Sequence, residues 1–528
     1  MPPVPSAASV RRREIDVTGP DPYGLSEAVD RGDWHDVAGI LSRRGAELVA
    51  LSDQMSEIAG ALASMPADVI AAHPPLHPIL EFLGLVEITD DLPAVDSERI
   101  RAHGQAGELE IRSIIASISA RRVRGRVDLA CELSDAAEPH VVAAASQLGS
   151  AAETVASSFF INAGKAHLLA GHNERATSLL LLAWRWRHAD SLGFVAKEAA
   201  GLIAVIAAST GGLRFAEEWI PRSQAWPGAI VPRLRLIVEF GAPLAEFIVA
   251  TERLDLRRAG ALLTRLAPVT QGFEFPHLVT AARTRWLLLA GQPREALRAI
   301  DRAASIDPGS APLFAQLRAS ALIALGVDHL DEALARLDDA PDDADTCLLR
   351  ARCAALRGDD AAALALLDAA PSAGVRRIDL AQRALRATCL LAMSEHERAR
   401  TAFDSLLDTV DENLAVFTVI GPNAAQALFA LSRDHPLATT VEAAWTARAP
   451  RTHRPIDVWH GAVEPARLTA RELAILRRLE AGGTRATIAQ DEHVSVNTVK
   501  TQLAALYRKL GVSSAQAAVD AGRMLGLL

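Results

Sequence analysis

The side chains best placed for chemistry lie near the end of the chain, in "VSVNTVKTQLAALYRKLGV" at residues 494–512. Val496, Val499, Leu503, Leu506 and Leu510 recur at spacings of 3, 4, 3 and 4. That rhythm makes one apolar stripe along a helix. Asn497, Lys500, Thr501, Ala504 and Arg508 fall on the opposite face, flanked by Thr498, Gln502 and Lys509. Amides, hydroxyls, an ammonium, a guanidinium and a methyl suit non-covalent chemistry. Amides and methyls meet base edges, and cations and hydroxyls meet phosphate oxygens.

Such a face works only if short elements hold the helix out. Ser495 is expected to cap it, and Gly511 to end it. Ahead of it, Thr484 caps a short helix that turns Ile488 and Ala489 inward. Earlier still, Thr469 and Glu472 form a capping box, with Leu468 and Leu473 as its hydrophobic staple. Ile475, Leu476 and Leu479 give that first helix its apolar face, and Gly482 and Gly483 stop it. A fourth helix, "SSAQAAVDAGRMLGLL", starts at Ser513 or Ser514. A short helix, a tight turn and a longer helix with a polar face make a helix-turn-helix, whose second helix enters the major groove.

The motif order is L-T-x-R-E from Leu468, G-x-[ST] from Gly482, I-A at Ile488, V-S-x-x-T-V-K from Val494 and Y-R-K-L-G-V from Tyr507. In that order and spacing, residues 467–528 resemble LuxR-type DNA-binding domains. The resemblance implies that Lys500, Thr501 and Ala504 face bases and that Thr498, Gln502, Arg508 and Lys509 meet the DNA backbone. It also implies double-stranded DNA as a partner and a homodimer on that DNA. Val519 and Met524 in the fourth helix then either pack within the module or form the dimer seam. Two positions depart from the family: Gln502 replaces the usual histidine, and Glu492 a usual leucine.

From about residue 25 to 445 the chain reads as helix after helix, with apolar residues at three- and four-residue intervals. Gly291, Gly326, Gly358 and Ser394 end four similar first helices at separations of 35, 32 and 36. Ala296, Ala333, Ala363 and Ala399 follow, where two helices must approach closely. Pro308, Pro341 and Pro371 stop the second helices. A period near 34 with two helices per unit marks a solenoid of helical hairpins. These units resemble tetratricopeptide repeats without the large aromatic positions. The register stays open over 66–140 and around 221–250. Residues 1–24 read as a mobile tail, and 446–466, with Pro450, Pro455 and Pro465, as an extended linker. The expected fold is all-α: an N-terminal α-solenoid, then a four-helix LuxR-type domain at 467–528.

Composition agrees with this division. The chain has 528 residues and a net charge of −9, yet from Arg467 onward nine basic residues face five acidic ones. The basic end is suited to nucleic acid; the acidic body is not. Four scattered cysteines fit a reduced, cytoplasmic setting, packed as small apolar groups. Apolar runs such as 201–209 are too short for a membrane span.

Enzymatic motifs are missing. Gly164–Lys165 lacks the remainder of a phosphate-binding loop and reads as helix, so the ATPase of the large MalT-type regulators is not expected. His73 and His77 are separated by two prolines and read as a loop. No catalytic residue, cofactor or metal is expected. Arg121, Arg122, Arg124 and Arg126 read as a solvated helix end. One of Trp184 and Trp186 is expected in the core, and the other is a candidate, though not the favoured reading, for lining a concave binding surface. The expected function is a sequence-specific transcription regulator whose body senses an effector or protein partner. The alternative is a helical scaffold with a helix-turn-helix remnant that does not bind DNA.

Overall fold

The computed structural model describes residues 24–51, 55–88, 93, 95, 96, 98, 100, 105–147, 150–187, 194–225, 235, 237–266, 274–372, 374–448, 470–491, 494–510, 514–516, 518 and 519. The tail at 1–23 and most of the linker therefore lie outside the described residues. Among the described residues there are helices and turns but no strand. The chain divides into two compact units, Met1–Val458 and Trp459–Leu528. The last body helix, Ala438–Arg448, runs three residues past 445.

The body is a row of antiparallel helical hairpins. From Gln105–Val123 against Val127–Gln147 to Arg376–Ala392 against His396–Val410, consecutive helices pair across short turns. One turn geometry recurs. Gly125, Gly171, Gly211, Leu254, Gly291, Gly358 and Ser394 all have positive φ. The amide after each donates to a carbonyl five residues back, as in Gln292 to Leu287 and Asp359 to Ala354, at 2.8 and 3.0 Å. The left-handed residue thus reverses the chain while satisfying the carbonyls at the helix end.

Five residues beyond each of these turns stands an alanine: Ala130, Ala176, Ala216, Ala259, Ala296, Ala363 or Ala399. All seven are fully buried. At Gly326 a 3-10 turn, Val327–His329, intervenes, and Ala333 takes the buried place two residues later. The same rule places one turn within the stretch left open over 66–140, at Gly125, and one just past the stretch around 221–250, at Leu254. Leu254 hid the pattern because a leucine holds the left-handed place, at φ 60°. That conformation costs a non-glycine residue about 1–2 kcal/mol, and burial of the side chain, 3% exposed, offsets it.

One approach is closer still. Helices Val195–Thr210 and Gly241–Glu252 touch backbone to backbone at Gly201 and Gly241. A Cβ on Gly241 would lie 2.5 Å from the carbonyl carbon of Gly201, 2.7 Å from its Cα and 2.8 Å from its oxygen. Helices cannot meet this closely with a side chain between them.

The arginine run is a solvated helix end only in part: Arg124 is exposed and Arg126 half-buried, but Arg121 and Arg122 are buried. Arg121 is 2% exposed and donates to Glu81 at 3.1 Å, which ties helix Gln105–Val123 to helix His77–Leu83. Arg122 is buried, pairs with Glu274 and donates to Asn162 at 3.0 Å. Lys165, in the helix that carries the Gly–Lys pair, lies 2.9 Å from both Glu198 and Glu274. Burial drives the Lys165 ammonium down to about 8 against the opposing pull of Glu198. Both tryptophans pack against the core: Trp186 stacks on Phe160, and Trp184 meets Trp219 edge-on. Both keep part of their surface in solvent. Phe403, Phe417, Phe429 and Trp445 close the last hairpin in one aromatic cluster.

The body also closes on itself. Asn413 Nδ2 donates to the carbonyl of Gly211 at 3.2 Å, and Arg214 pairs with Asp411 at 2.7 Å. Arg253 bridges Glu217 and Glu412. The backbone of Arg377 seats against Gly211 so closely that a Cβ there would lie 2.9 Å from its nitrogen.

Two outcomes test this packing. Gly241→Ala is expected to lower the stability of the body by about 1–3 kcal/mol in chemical denaturation; Gly201→Ala, whose Cβ would find 3.2 Å or more, should cost less. For Lys165, the folded value lies below the ordinary 10.5. The unfolded chain therefore binds more protons above pH 8, and stability rises with pH there. From about pH 7.5 to about pH 9, Lys165 alone should add a rise of about 1 kcal/mol to the stability of the wild type, read as the difference from a variant without it. Lys165→Met should lack that rise.

Candidate nucleic-acid interface

The terminal module is built around one small core. Ile475 and Leu476 come from helix Ala470–Glu480, Ile488 and Ala489 from helix Arg485–Asp491, and Val499, Leu503 and Leu506 from helix Val496–Leu510, joined by Ala518. Leu479, Val494 and Tyr507 pack around it.

Each junction has a local cause. Gly482, at φ 80°, ends the first helix, and Gly483 N donates to Arg478 O at 2.9 Å. A Cβ on Gly483 would lie 2.8 Å from that oxygen and 3.1 Å from Ile488 Cγ1, so the turn sits directly on the second helix. Thr484 Oγ1 accepts from Thr487 N at 3.3 Å and caps the second helix. Arg478 reaches across to Asp491 at 3.0 Å and ties the first helix to the end of the second. Ser495 Oγ accepts from Thr498 N at 3.1 Å and caps the third. Thr469 of the capping box, Leu468 of its staple, Glu492 and Gly511 lie outside the described residues.

The third helix presents its two faces as the spacing requires. Val499, Leu503 and Leu506 are buried. Thr498, Lys500, Thr501 and Ala504 are exposed. The hydroxyls of Thr498 and Ser495 lie 2.8 Å apart, so Thr498 belongs to the cap that starts the helix. Gln502 is only half-exposed, with Oε1 buried and unpaired. Its carbonyl thus faces the module. The side chains of Asn497, Arg508 and Lys509 lie outside the described residues, although their backbone is helical.

Val496 departs from the expected stripe: it is 50% exposed. The core ends at Val499, and Val496 lies one turn further out, at the start of the helix. The buried stripe therefore begins at Val499, between Thr498 and Lys500, and leaves the first turn of the helix outside the core. Val519 is buried within the single chain, 6% exposed, which favours packing inside the module over a dimer seam at that residue. Met524 lies outside the described residues. Arg471, Arg477 and Arg485 add exposed basic groups on the first two helices.

Residues 466–521 match the family described as bacterial regulatory proteins, luxR family. The C-terminal module is a LuxR-family helix-turn-helix domain. No curated protein matches the chain.

The two faces differ in what a truncation should do. Leu503→Ala is expected to cost the module about 2–5 kcal/mol. Val496→Ala should stay within about 0.5 kcal/mol. Hydrogen exchange of the module amides in the full chain measures both.

Proposed function

We propose that this chain is a sequence-specific DNA-binding transcription regulator. The third helix of the terminal module lies in the major groove, and the hairpin body, of tetratricopeptide-like kind, answers to an effector or a protein partner. The observation that carries this reading is the exposed face of Thr498, Lys500, Thr501 and Ala504 on a capped helix fixed by Val499, Leu503 and Leu506.

In this reading the ammonium of Lys500 meets a base acceptor or a phosphate, and the hydroxyl of Thr501 meets a base edge. Ala504 offers only a methyl. Exposed Val496 adds a second apolar group at the leading end of the helix, of the kind that contacts a thymine methyl. Thr498 and Ser495, at the helix N-terminus, face the DNA backbone, where orphan amides and the helix dipole favour phosphate. Two modules in a homodimer would read two half-sites. The body acts by binding rather than by catalysis.

The test is binding of the full-length protein to the DNA upstream of its own gene across a range of salt. Affinity should fall as salt rises. Lys500→Ala should weaken binding and reduce the salt slope by about 1, and Thr501→Ala should relax base preference at one position in each half-site. If the double variant keeps wild-type affinity and salt slope, this helix does not read DNA.

A further inference from the structure

We propose that Cys131, His167 and His172 form a binding site for a divalent transition-metal ion of the zinc type, within the hairpin body. A ligand atom from each of the three lies within 4.8 Å of the others. Cys131 stands on helix Val127–Gln147, His167 in the last turn of helix Ser150–Leu169, and His172 at the cap position of helix Asn173–Arg185.

The hairpin turn creates the juxtaposition. Gly171 is left-handed, at φ 78°, and His172 N donates to His167 O at 2.9 Å. This folds the second imidazole back over the helix end. The two Nδ1 atoms then face each other at 3.2 Å.

Neighbouring groups decide which nitrogen of His167 carries its proton. Its Nε2 lies 3.2 Å from Ser134 Oγ and 3.3 Å from Asp135 Oδ1. Ser134 gives its own proton to the carbonyl of Cys131 at 2.8 Å, so its oxygen is left to accept. The carboxylate of Asp135 accepts as well. Two acceptors hold the proton on Nε2 and leave Nδ1 with a free lone pair. A carboxylate behind an imidazole is the arrangement that orients metal-binding histidines.

The dimensions suit one ion. Nitrogens sharing a tetrahedral zinc at about 2.0 Å each stand about 3.3 Å apart. The imidazole pair is already at that separation, and only the thiol must close in. Sulfur and imidazole together select zinc-like metals over magnesium or calcium. Burial and the negative charge of Asp135, Asp128 and Glu132 hold the Cys131 thiol protonated; an ion drawn by those charges displaces that proton to solvent as the metal–sulfur bond forms. Arg175, paired with Asp135 and Glu138, is the opposing cation. Cys131 and His167 are buried while His172 is exposed. The ion therefore enters from solvent, and its fourth position is left to water or to an incoming ligand.

This site is independent of the DNA-binding reading, and either can fail alone. Chelator-treated full-length protein is titrated with Co²⁺ and followed by absorption. One equivalent should bind with a sulfur-to-cobalt charge-transfer band. Cys131→Ser should abolish the band. Asp135→Asn should weaken binding about 10–100-fold. His172→Ala should weaken it at least about tenfold; that side chain makes no cap hydrogen bond, so the change leaves the helix start intact. Zn²⁺ should raise the melting temperature of the wild type, and not that of the Cys131→Ser/His172→Ala variant. Binding no stronger than in the double variant overturns the proposal and leaves a plain hydrogen bond between the imidazoles. So does cobalt binding without a thiolate band and with unchanged affinity in His172→Ala, a result that stands even if Cys131→Ser fails to fold.

Discussion

The body rests on one backbone event repeated along it: a residue turns left-handed at a helix end, and the next amide bonds five residues back. That bond sets the angle at which the second helix returns. The return brings the fifth residue after the turn against the first helix, where only a small side chain fits. Turn and alanine are therefore two parts of one constraint. A larger residue at Ala176 or Ala363 would push apart helices whose separation the turn has already set.

Charge is used in opposite ways in the two units. In the body, Arg121, Arg122 and Lys165 are buried, each held against a carboxylate. Removing one partner of such a pair would leave a charge with no compensation, which is costly far from water. In the terminal module, Arg471, Arg477, Arg485 and Lys500 stand in solvent. Phosphate oxygens are the partners suited to such cations, and salt screens them. The same residue types thus act as internal fasteners in one unit and as an outward field in the other.

What was legible in the sequence follows from what is local. Gly291, Gly358 and Ser394, and the alanines after them, are set by short-range geometry and could be read directly. So could the caps at Thr484 and Ser495, and the inward Val499, Leu503 and Leu506. Long-range partners were not legible. Arg121 looked solvated because Glu81 lies 40 residues away, and Arg122 because Glu274 lies further still. Val496 obeyed the helical rhythm, yet half of it stands in solvent. Leu254 broke the glycine pattern, so its turn was hidden. The spacing of His167 and His172 across a turn of the same type was visible in "HLLAGH". Cys131 was not, because only the packing of neighbouring helices brings it there.

The contact between the turn at Gly211 and the segment around Arg377 and Asn413 has a consequence for how such a chain can change. An open solenoid lengthens or shortens by whole repeats, because each unit touches only its neighbours. Here the hairpins between Leu213 and Val375 are spanned by contacts that meet at a fixed place. Adding or deleting one hairpin in that arc would carry Asn413 and Asp411 away from Gly211 and Arg214. The number of hairpins in the arc is thus a closed quantity. Variation by duplication is left to the segments outside it, while inside it only substitution and loop-length change are compatible with the fold.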